Sequence, residues 1–316
     1  MASLQKSAEI ILKKCMKLGD NESFLVVYDV NKKKMADVIL KEARKITRHS
    51  KKIEMPLLKV SGNEPSKDVA KEMMKSDVVV ITTTKSISHT KARRDACKSG
   101  VRIASMPGIT EDMMKRAIGI NYEKLSDRVE KLDKILSRAK KIKITNEKGT
   151  NFVADITKRK INKDRGNLHI RGNFGNLPAG EIAVAPVEGT SNGIVVFEKS
   201  MSGVGKLEKP LKIRIKNGFA CDINGYGAEK LKSVLKKSGK NANNIAEIGI
   251  GLNDKAKITG AVLEDEKVLG TMHVALGNSL SMGGKIDAKC HLDGIILKPT
   301  VYIDGKIVMN NGKLLV

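Results

Sequence analysis

Short hydrophobic runs alternate with amphipathic segments through the first part of the chain. The runs at 23–30 (SFLVVYDV) and 77–84 (DVVVITTT) are rich in β-branched residues, and the second has the continuous apolar character of a strand covered on both faces. Between them, residues 33–47 place Met35 and Ile39 at the spacing of one helix face. This alternation predicts an α/β domain with an open, mostly parallel sheet and helices packed on it.

A long polar segment, 109–141, follows this domain. Its apolar residues, among them Leu125 and Val129, recur at helical spacing, which predicts one long helix that leads to the second half of the chain. We therefore expect an α/β domain with its connecting helix over residues 1–139 and a second domain over residues 140–316.

The second half has a different sequence pattern, in which short apolar runs are separated by Gly and Asn. Segments such as 194–198 (IVVFE), 211–223 (LKIRIKNGFACDI) and 261–270 (AVLEDEKVLG) are predicted to be strands and hairpins. The segment 227–239 (GAEKLKSVLKKSG) has a helical pattern. The pattern predicts a mainly β (α+β) domain that contains one longer helix.

Composition indicates a soluble protein of the cytoplasm. Hydrophobic residues make up 41% of the 316 residues, yet no apolar run approaches the about 18 residues needed to span a membrane. The N-terminal segment is amphipathic and does not resemble an export signal. The four cysteines are far apart and form no CxxC pair, so neither a zinc knuckle nor a disulfide scaffold is expected; they are Cys15, Cys97, Cys221 and Cys290.

The formal net charge of +24 raises the possibility of a basic nucleic-acid-binding protein without catalysis. Its basic residues are scattered along the chain, aromatic residues make up only 3%, and Trp is absent, so platforms for stacking bases are scarce. We expect any binding to nucleic acid to be weak and independent of sequence.

Two of the five histidines lie in the Gly-rich second domain among predicted strands. In 290–294 (CHLDG), His291 and Asp293 are two residues apart, so both side chains point to one face of a strand. In 271–279 (TMHVALGNS), His273 alternates with large apolar residues. Two imidazoles and a carboxylate are common ligands of zinc, iron, cobalt and manganese, although a strand histidine often has only a structural role.

Two acidic residues in apolar strands strengthen the prediction of a metal site. Glu181 follows a Pro-Ala-Gly turn and begins an apolar strand, and Glu247 stands inside an Ile-, Ala- and Gly-rich strand. A carboxylate in such a strand is costly to bury unless it is paired or bound to a metal. The alternative to a metal ligand is a carboxylate on an edge strand that faces solvent.

Four motifs, in order, resemble the catalytic domain of the thermophilic-type metallo-aminopeptidases, aminopeptidase T and aminopeptidase S. They are NLPAGEIAVAP, AEIGIG, GTMHVALGNS, and CHLDG followed by KPTVYIDG, and they cover about residues 170–310. The superfamily also contains the iron-dependent 2,5-dihydroxypyridine dioxygenases. The resemblance implies a homodimer and metal ligation by Glu181, Glu247, His273, His291 and Asp293, with Glu266 as a further acid.

The resemblance to the peptidases implies a hydrolase that releases N-terminal amino acids from peptides. One or two divalent ions (Zn, Co, Mn or Fe(II)) would activate water, with Glu181 and Glu247 as ligands or as the catalytic base. The chain departs from the peptidase pattern at Leu252 and Leu280, where the peptidases have His and Tyr. The alternative is a ring-cleaving dioxygenase with one Fe(II), in which His273, His291 and Asp293 form a two-His, one-carboxylate set and the two glutamates contact ligands or substrate. The peptidase is our main prediction.

Overall fold

The computed structural model describes residues 2–316 of the chain. Its strands, in chain order, are β1 (Phe24–Tyr28), β2 (Ser50–Glu54), β3 (Val78–Thr82), β4 (Arg102–Ser105), β5 (Lys141–Thr145), β6 (Asn151–Asp155), β7 (Ile161–Asp164), β8 (Phe174–Asn176), β9 (Glu181–Val184), β10 (Asn192–Phe197), β11 (Ser200–Met201), β12 (Gly205–Lys206), β13 (Leu211–Lys216), β14 (Phe219–Gly225), β15 (Ile245–Gly251), β16 (Met272–Gly277), β17 (His291–Ile296), β18 (Thr300–Ile303), β19 (Lys306–Asn310) and β20 (Lys313–Leu314).

The helices are α1 (Leu4–Glu9), α2 (Lys33–Ala43), α3 (Lys67–Met74), α4 (Lys91–Lys98), α5 (Glu111–Ala117), α6 (Tyr122–Leu136), α7 (Ala228–Ser238) and α8 (Val262–Asp265). A π-helical turn, Ile10–Cys15, continues α1, and short 3₁₀ turns lie at Val30–Lys32 and Leu280–Met282. None of the helices within residues 2–316 is long and apolar enough to cross a membrane.

The first compact unit contains the predicted parallel sheet, in the order β2-β1-β3-β4-β8. All of its strand pairs are parallel. Each residue of β1 and of β3 is buried, as expected for strands that helices cover on both faces. The prediction of an α/β domain is therefore confirmed.

The second compact unit is built from two antiparallel sheets. The larger has the order β14-β13-β10-β6-β5-β18-β19-β20, and the smaller has the order β12-β11-β17-β16-β15-β9-β7. In β13, buried and exposed residues alternate, so one face of the larger sheet points to the core. Phe197 of β10 packs on Gly294 of β17, where a Cβ atom would lie 2.7 Å from the ring. The prediction of a mainly β second domain is confirmed as well.

The single long helix predicted over 109–141 is interrupted. Helix α5 ends at Ala117 and α6 begins at Tyr122. Asn121 starts the second helix, because its side-chain oxygen accepts hydrogen bonds from the backbone N–H groups of Glu123 and Lys124, both at 3.0 Å. Gly119, a weak helix former, lies in the break. The periodicity of Leu125 and Val129 is real, but it belongs to the second helix only.

Replacing Asn121 with Ala is expected to lower the free energy of unfolding by about 1 kcal/mol, because two helix-terminal N–H groups lose their acceptor. Denaturant unfolding measures the change. Lys131→Ala, an exposed substitution inside the same helix, is the matched control and should change stability by less than about 0.5 kcal/mol. Equal stability of Asn121→Ala and wild type would contradict the assigned cap.

The bounds of the two compact units differ in two places from a division at residue 139. The domain boundary at residue 139 stays a prediction. The first unit comprises residues up to Ile120 together with Gly166–Ala179, and the second comprises the remainder. Helix α6 groups with the second unit, because its buried face packs on β7 and β9. The chain then returns to the first unit to supply β8 as the fifth strand of the parallel sheet.

The segment 261–270, predicted to be a strand, contains the short helix α8 instead. Asp265 stabilises this turn, since its carboxylate accepts hydrogen bonds from the backbone N–H groups of Thr259 and Gly260 and from the hydroxyl of Ser200. These bonds fold the segment back on itself. The turn ends at Glu266 and Lys267, whose side chains are buried.

Candidate metal centre

Neighbouring strands of the smaller sheet hold the predicted ligands. Glu247 is on β15, His273 on β16, and His291 and Asp293 on β17, three strands that lie side by side. Glu181 begins β9, which pairs with the other edge of β15. The structure therefore brings together all five residues that the sequence singled out.

Two groups of potential ligand atoms share Glu247. In the first, His273 Nε2 lies 3.3 Å from Glu247 Oε1 and 3.5 Å from Glu181 Oε2. In the second, His291 Nε2 lies 2.9 Å from Glu247 Oε2 and 3.4 Å from Asp293 Oδ1. Within each group, the ligand atoms all lie within 4.8 Å of one another. His291 and Asp293 share one face of β17, as their spacing predicts.

The centre is buried and rich in negative charge. Burial acts to raise the pKa of Glu247, but hydrogen bonds from His273 and His291 hold that pKa below its ordinary value. Burial likewise opposes protonation of His273, yet its hydrogen bond to Glu247 and the charge of Glu181 raise its pKa to about 9. The electrostatic field that favours a proton on this imidazole also favours a divalent cation.

The donor set fits a divalent metal ion. His291 Nδ1 donates a hydrogen bond to the Asn278 carbonyl oxygen at 2.8 Å, which directs Nε2 towards the carboxylates. Such a second contact is the usual way in which a protein orients a metal-binding imidazole. Glu181 Oε2 is buried and has no hydrogen-bond partner among the described residues, so it is an acceptor available to a cation or to a bound ligand.

Gly249 makes room for the His273 ring. The two residues are cross-strand partners on β15 and β16, and a Cβ atom at position 249 would lie 2.0 Å from His273 Nε2. The motif AEIGIG therefore contains a positioning residue that was not singled out from the sequence. A glycine inside an otherwise apolar strand is a general signal of such a close approach.

Gly249→Ala is expected to displace the His273 imidazole and to weaken divalent-metal binding by about 10- to 100-fold, the range seen when the support of a metal ligand is lost. Calorimetric titration with Mn(II) measures the dissociation constant. Ile248→Val on the same strand is the control, because it trims a buried side chain, costs about 0.5–1.5 kcal/mol of stability, and leaves the space beside His273 unchanged. Equal affinity in Gly249→Ala and wild type would contradict this role.

Lys267 is an unexpected member of the same region. Its side chain is only 1% exposed, and its Nζ lies 2.5 Å from Glu181 Oε1, 3.1 Å from Glu266 Oε1 and 3.6 Å from Asp164 Oδ2. Glu266, the further acid implied by the resemblance, thus faces the lysine, and it belongs to neither ligand group found in residues 2–316. Burial raises the pKa of Glu266 to about 8, although Lys267 opposes the shift.

The two leucines at the positions that depart from the peptidase pattern offer no proton-transferring group. Leu252 is fully buried, and Leu280 is half exposed on the 3₁₀ turn that follows β16. The remaining histidines, His49, His89 and His169, belong to the first unit and to neither ligand group.

Comparisons with known proteins identify similar sequences and folds. A sequence model of the 2,5-dihydroxypyridine 5,6-dioxygenase (NicX) family matches residues 21–316. A 2,5-dihydroxypyridine 5,6-dioxygenase from Pseudomonas putida is 23% identical over 252 residues, which are 74% of this chain and 70% of that protein.

Two solved structures share the fold. The 2,5-dihydroxypyridine dioxygenase of Pseudomonas putida KT2440 has a TM-score of 0.84 at 20% identity, over 99% of this chain and 97% of the other. Wild-type AmpT from Thermus thermophilus has a TM-score of 0.76 at 15% identity, over 99% of both chains. Both likenesses show the expected fold.

The main functional prediction, a metal-dependent aminopeptidase of the hydrolase class, is wrong. The matching family model and the curated relative both carry the name of a dioxygenase, as does the solved structure with the TM-score of 0.84. The departures at Leu252 and Leu280 were the signal that pointed away from the peptidases.

Proposed function

Because the chain belongs to the 2,5-dihydroxypyridine 5,6-dioxygenase family, we propose that it binds one Fe(II) ion and uses molecular oxygen to open a dihydroxylated pyridine ring. One observation carries the proposal: the Nε2 atoms of His273 and His291 converge on the carboxylate of Glu247, with Asp293 beside them. The substrate class comes from the family and from the 23% identical relative.

In this proposal, His273, His291 and Asp293 are the two imidazoles and the carboxylate that hold the ion, and Glu247 lies between the imidazoles. When bound, Fe(II) would supply open coordination positions for the diol and for oxygen, together with redox chemistry that side chains lack. The hydrogen bond from His291 to Asn278 holds one imidazole in the tautomer that binds a metal.

Glu181 is the proposed proton acceptor. Its Oε1 contacts Lys267, whereas Oε2 is buried, has no hydrogen-bond partner in the described part of the chain, and faces His273. A ring hydroxyl that reaches the centre can donate to Oε2, and the ring then becomes more electron-rich. The side chains of Glu181 and Asp293 are more accessible than that of His273, with 17% and 16% exposed against 1%.

Elemental analysis and oxygen uptake test the proposal together. Protein purified without oxygen is expected to hold one iron per chain and to consume one O₂ for each 2,5-dihydroxypyridine ring that it opens. Protein treated with a chelator should lose both the iron and the uptake, and 2-hydroxypyridine, which lacks the second hydroxyl, should be a poor substrate.

Iron-loaded protein that leaves 2,5-dihydroxypyridine intact under air would overturn the assigned substrate, and protein without affinity for Fe(II) would overturn the centre itself. Release of amino acids from simple amino-acid amides, measured on the same samples, provides the comparison with the hydrolase. The homodimer and the weak, salt-sensitive binding to nucleic acid stay predictions.

A further inference from the structure

The connection between β16 and β17 supports one of the two imidazoles of the candidate centre. It comprises residues 278–290 and joins the strand of His273 to the strand of His291. Its first residue, Asn278, accepts the 2.8 Å hydrogen bond from His291 Nδ1 with its backbone carbonyl oxygen. Any group that fixes this carbonyl therefore also fixes the direction of His291 Nε2.

The side chain of Asn278 bonds to both ends of the same connection. Its Nδ2 donates to Asp287 Oδ1 at 2.7 Å and to the Ala288 carbonyl oxygen at 3.1 Å. Its Oδ1 accepts from the backbone N–H of Leu280 at 3.0 Å. The amide group thus ties the first residues of the connection to the residues that lead into β17.

The peptide group between Asn278 and Ser279 lies between two partners. Its N–H donates to the Ile286 carbonyl oxygen at 2.9 Å, and its carbonyl oxygen accepts from His291. The Asn278 amide holds the two residues that directly follow Ile286. The side chain therefore fixes the segment on which this peptide group rests, as well as the residue that supplies the carbonyl.

The two imidazoles of the centre are oriented in different ways. His273 Nδ1 is buried and has no hydrogen-bond partner among the described residues, and its ring is located by the space beside Gly249. His291 instead depends on a hydrogen bond to the backbone. Loss of that bond would free the His291 ring to turn, because no packed neighbour of the kind that Gly249 provides replaces it.

We propose that Asn278 is a positioning residue of the metal centre, whose side-chain amide holds its own carbonyl in place for His291 Nδ1. This inference rests on the proposed function, since it assumes that His291 binds the ion. Asp287 is the second member of the device, because its carboxylate accepts the shorter of the two bonds that the amide donates. The pair acts through His291 and has no contact with the other proposed ligands.

Calorimetric titration with Mn(II) tests the proposal. Asn278→Ala is expected to weaken binding by about 10- to 100-fold, the range seen when the support of a metal ligand is lost. Asn278→Asp combined with Asp287→Asn reverses the amide and the carboxylate, keeps the net charge, and retains an acceptor for the Leu280 N–H. This double variant should regain most of the affinity, a rescue that loss of packing alone would not give.

Glu188→Ala is the matched control. Glu188 Oε1 accepts a hydrogen bond from the Lys285 backbone N–H at 2.8 Å, so it anchors the same connection at a point that does not act on His291. This variant should retain wild-type affinity. Denaturant unfolding of the metal-free proteins measures the loss of stability in each variant separately from the loss of affinity.

A further variant keeps the test valid if Asn278→Ala does not fold. Asp287→Ala removes an exposed side chain and one hydrogen bond, and it should weaken Mn(II) binding by about three- to tenfold. Wild-type affinity in Asn278→Ala or in Asp287→Ala, an equal loss in Glu188→Ala, or no recovery in the double variant would overturn the inference. Wild-type protein that binds no Mn(II) would instead overturn the proposed function, so the two failures are distinguishable.

Discussion

Replacing His291 or Asp293 with Ala is expected to abolish binding of Fe(II) and, with it, ring opening. Both side chains lie on one face of β17, and each removal leaves a carboxylate-rich centre with too few ligands. Since a bound metal lowers the activation free energy by several kcal/mol, the rate of oxygen uptake should fall by at least about 10³-fold when the metal is lost. Elemental analysis and oxygen uptake measure the two losses on one sample.

The fold should survive these substitutions, because the centre lies in a sheet whose other residues are unchanged. His49→Ala is the control for removal of a histidine, since this residue is exposed in the first unit. It should retain wild-type iron content and activity. Full iron stoichiometry in both His291→Ala and Asp293→Ala would rule out the proposed ligands.

Glu181→Gln is expected to reduce the rate of ring opening by about 10²- to 10⁴-fold while the iron content changes little, because the carboxamide keeps the shape of the side chain but cannot accept a proton. Its oxygen can still accept a hydrogen bond from Lys267, so the ion pair is weakened rather than replaced by a cavity. Steady-state oxygen uptake and elemental analysis separate the two effects.

Glu198→Gln is the matched control, since Glu198 is a partly buried glutamate of the same unit that accepts hydrogen bonds from Asn146 and Leu297 and has no contact with the centre. It should leave the rate unchanged. An unchanged rate in Glu181→Gln would exclude Glu181 as the proton acceptor, whereas loss of iron from that variant would assign it to the ligand set instead.

The fold could be predicted where hydrophobic spacing alone decides the structure. The apolar run of β3 indicates a strand covered on both faces, and the structure buries each of its residues. Spacing could not reveal the end of α5, because the break depends on the cap that Asn121 forms and on the weak helix former Gly119. Spacing could not reveal the short helix α8 either, because this turn depends on hydrogen bonds that the Asp265 carboxylate accepts from the preceding backbone N–H groups of Thr259 and Gly260.

Residue spacing also predicted part of the site. Side chains two residues apart share a strand face, so His291 and Asp293 were expected to meet, and they do. Lys267 could not be recognised, because EDEK has the composition of a solvated surface segment and Asp164 is distant in the sequence. The pairing of β7 with β9 brings the carboxylates of Asp164 and Glu181 together.

The order in which the strands are synthesised differs from the order in which they pair. Strand β4 lies next to β8 in the parallel sheet, yet residues 106–173 separate them in the sequence. A nascent chain that grows by roughly 5–20 residues per second would leave this edge of β4 without its partner for several seconds after it emerges from the ribosome. Exposed strand edges invite pairing with other chains, so the newly made protein is open to mispairing at this edge during that interval.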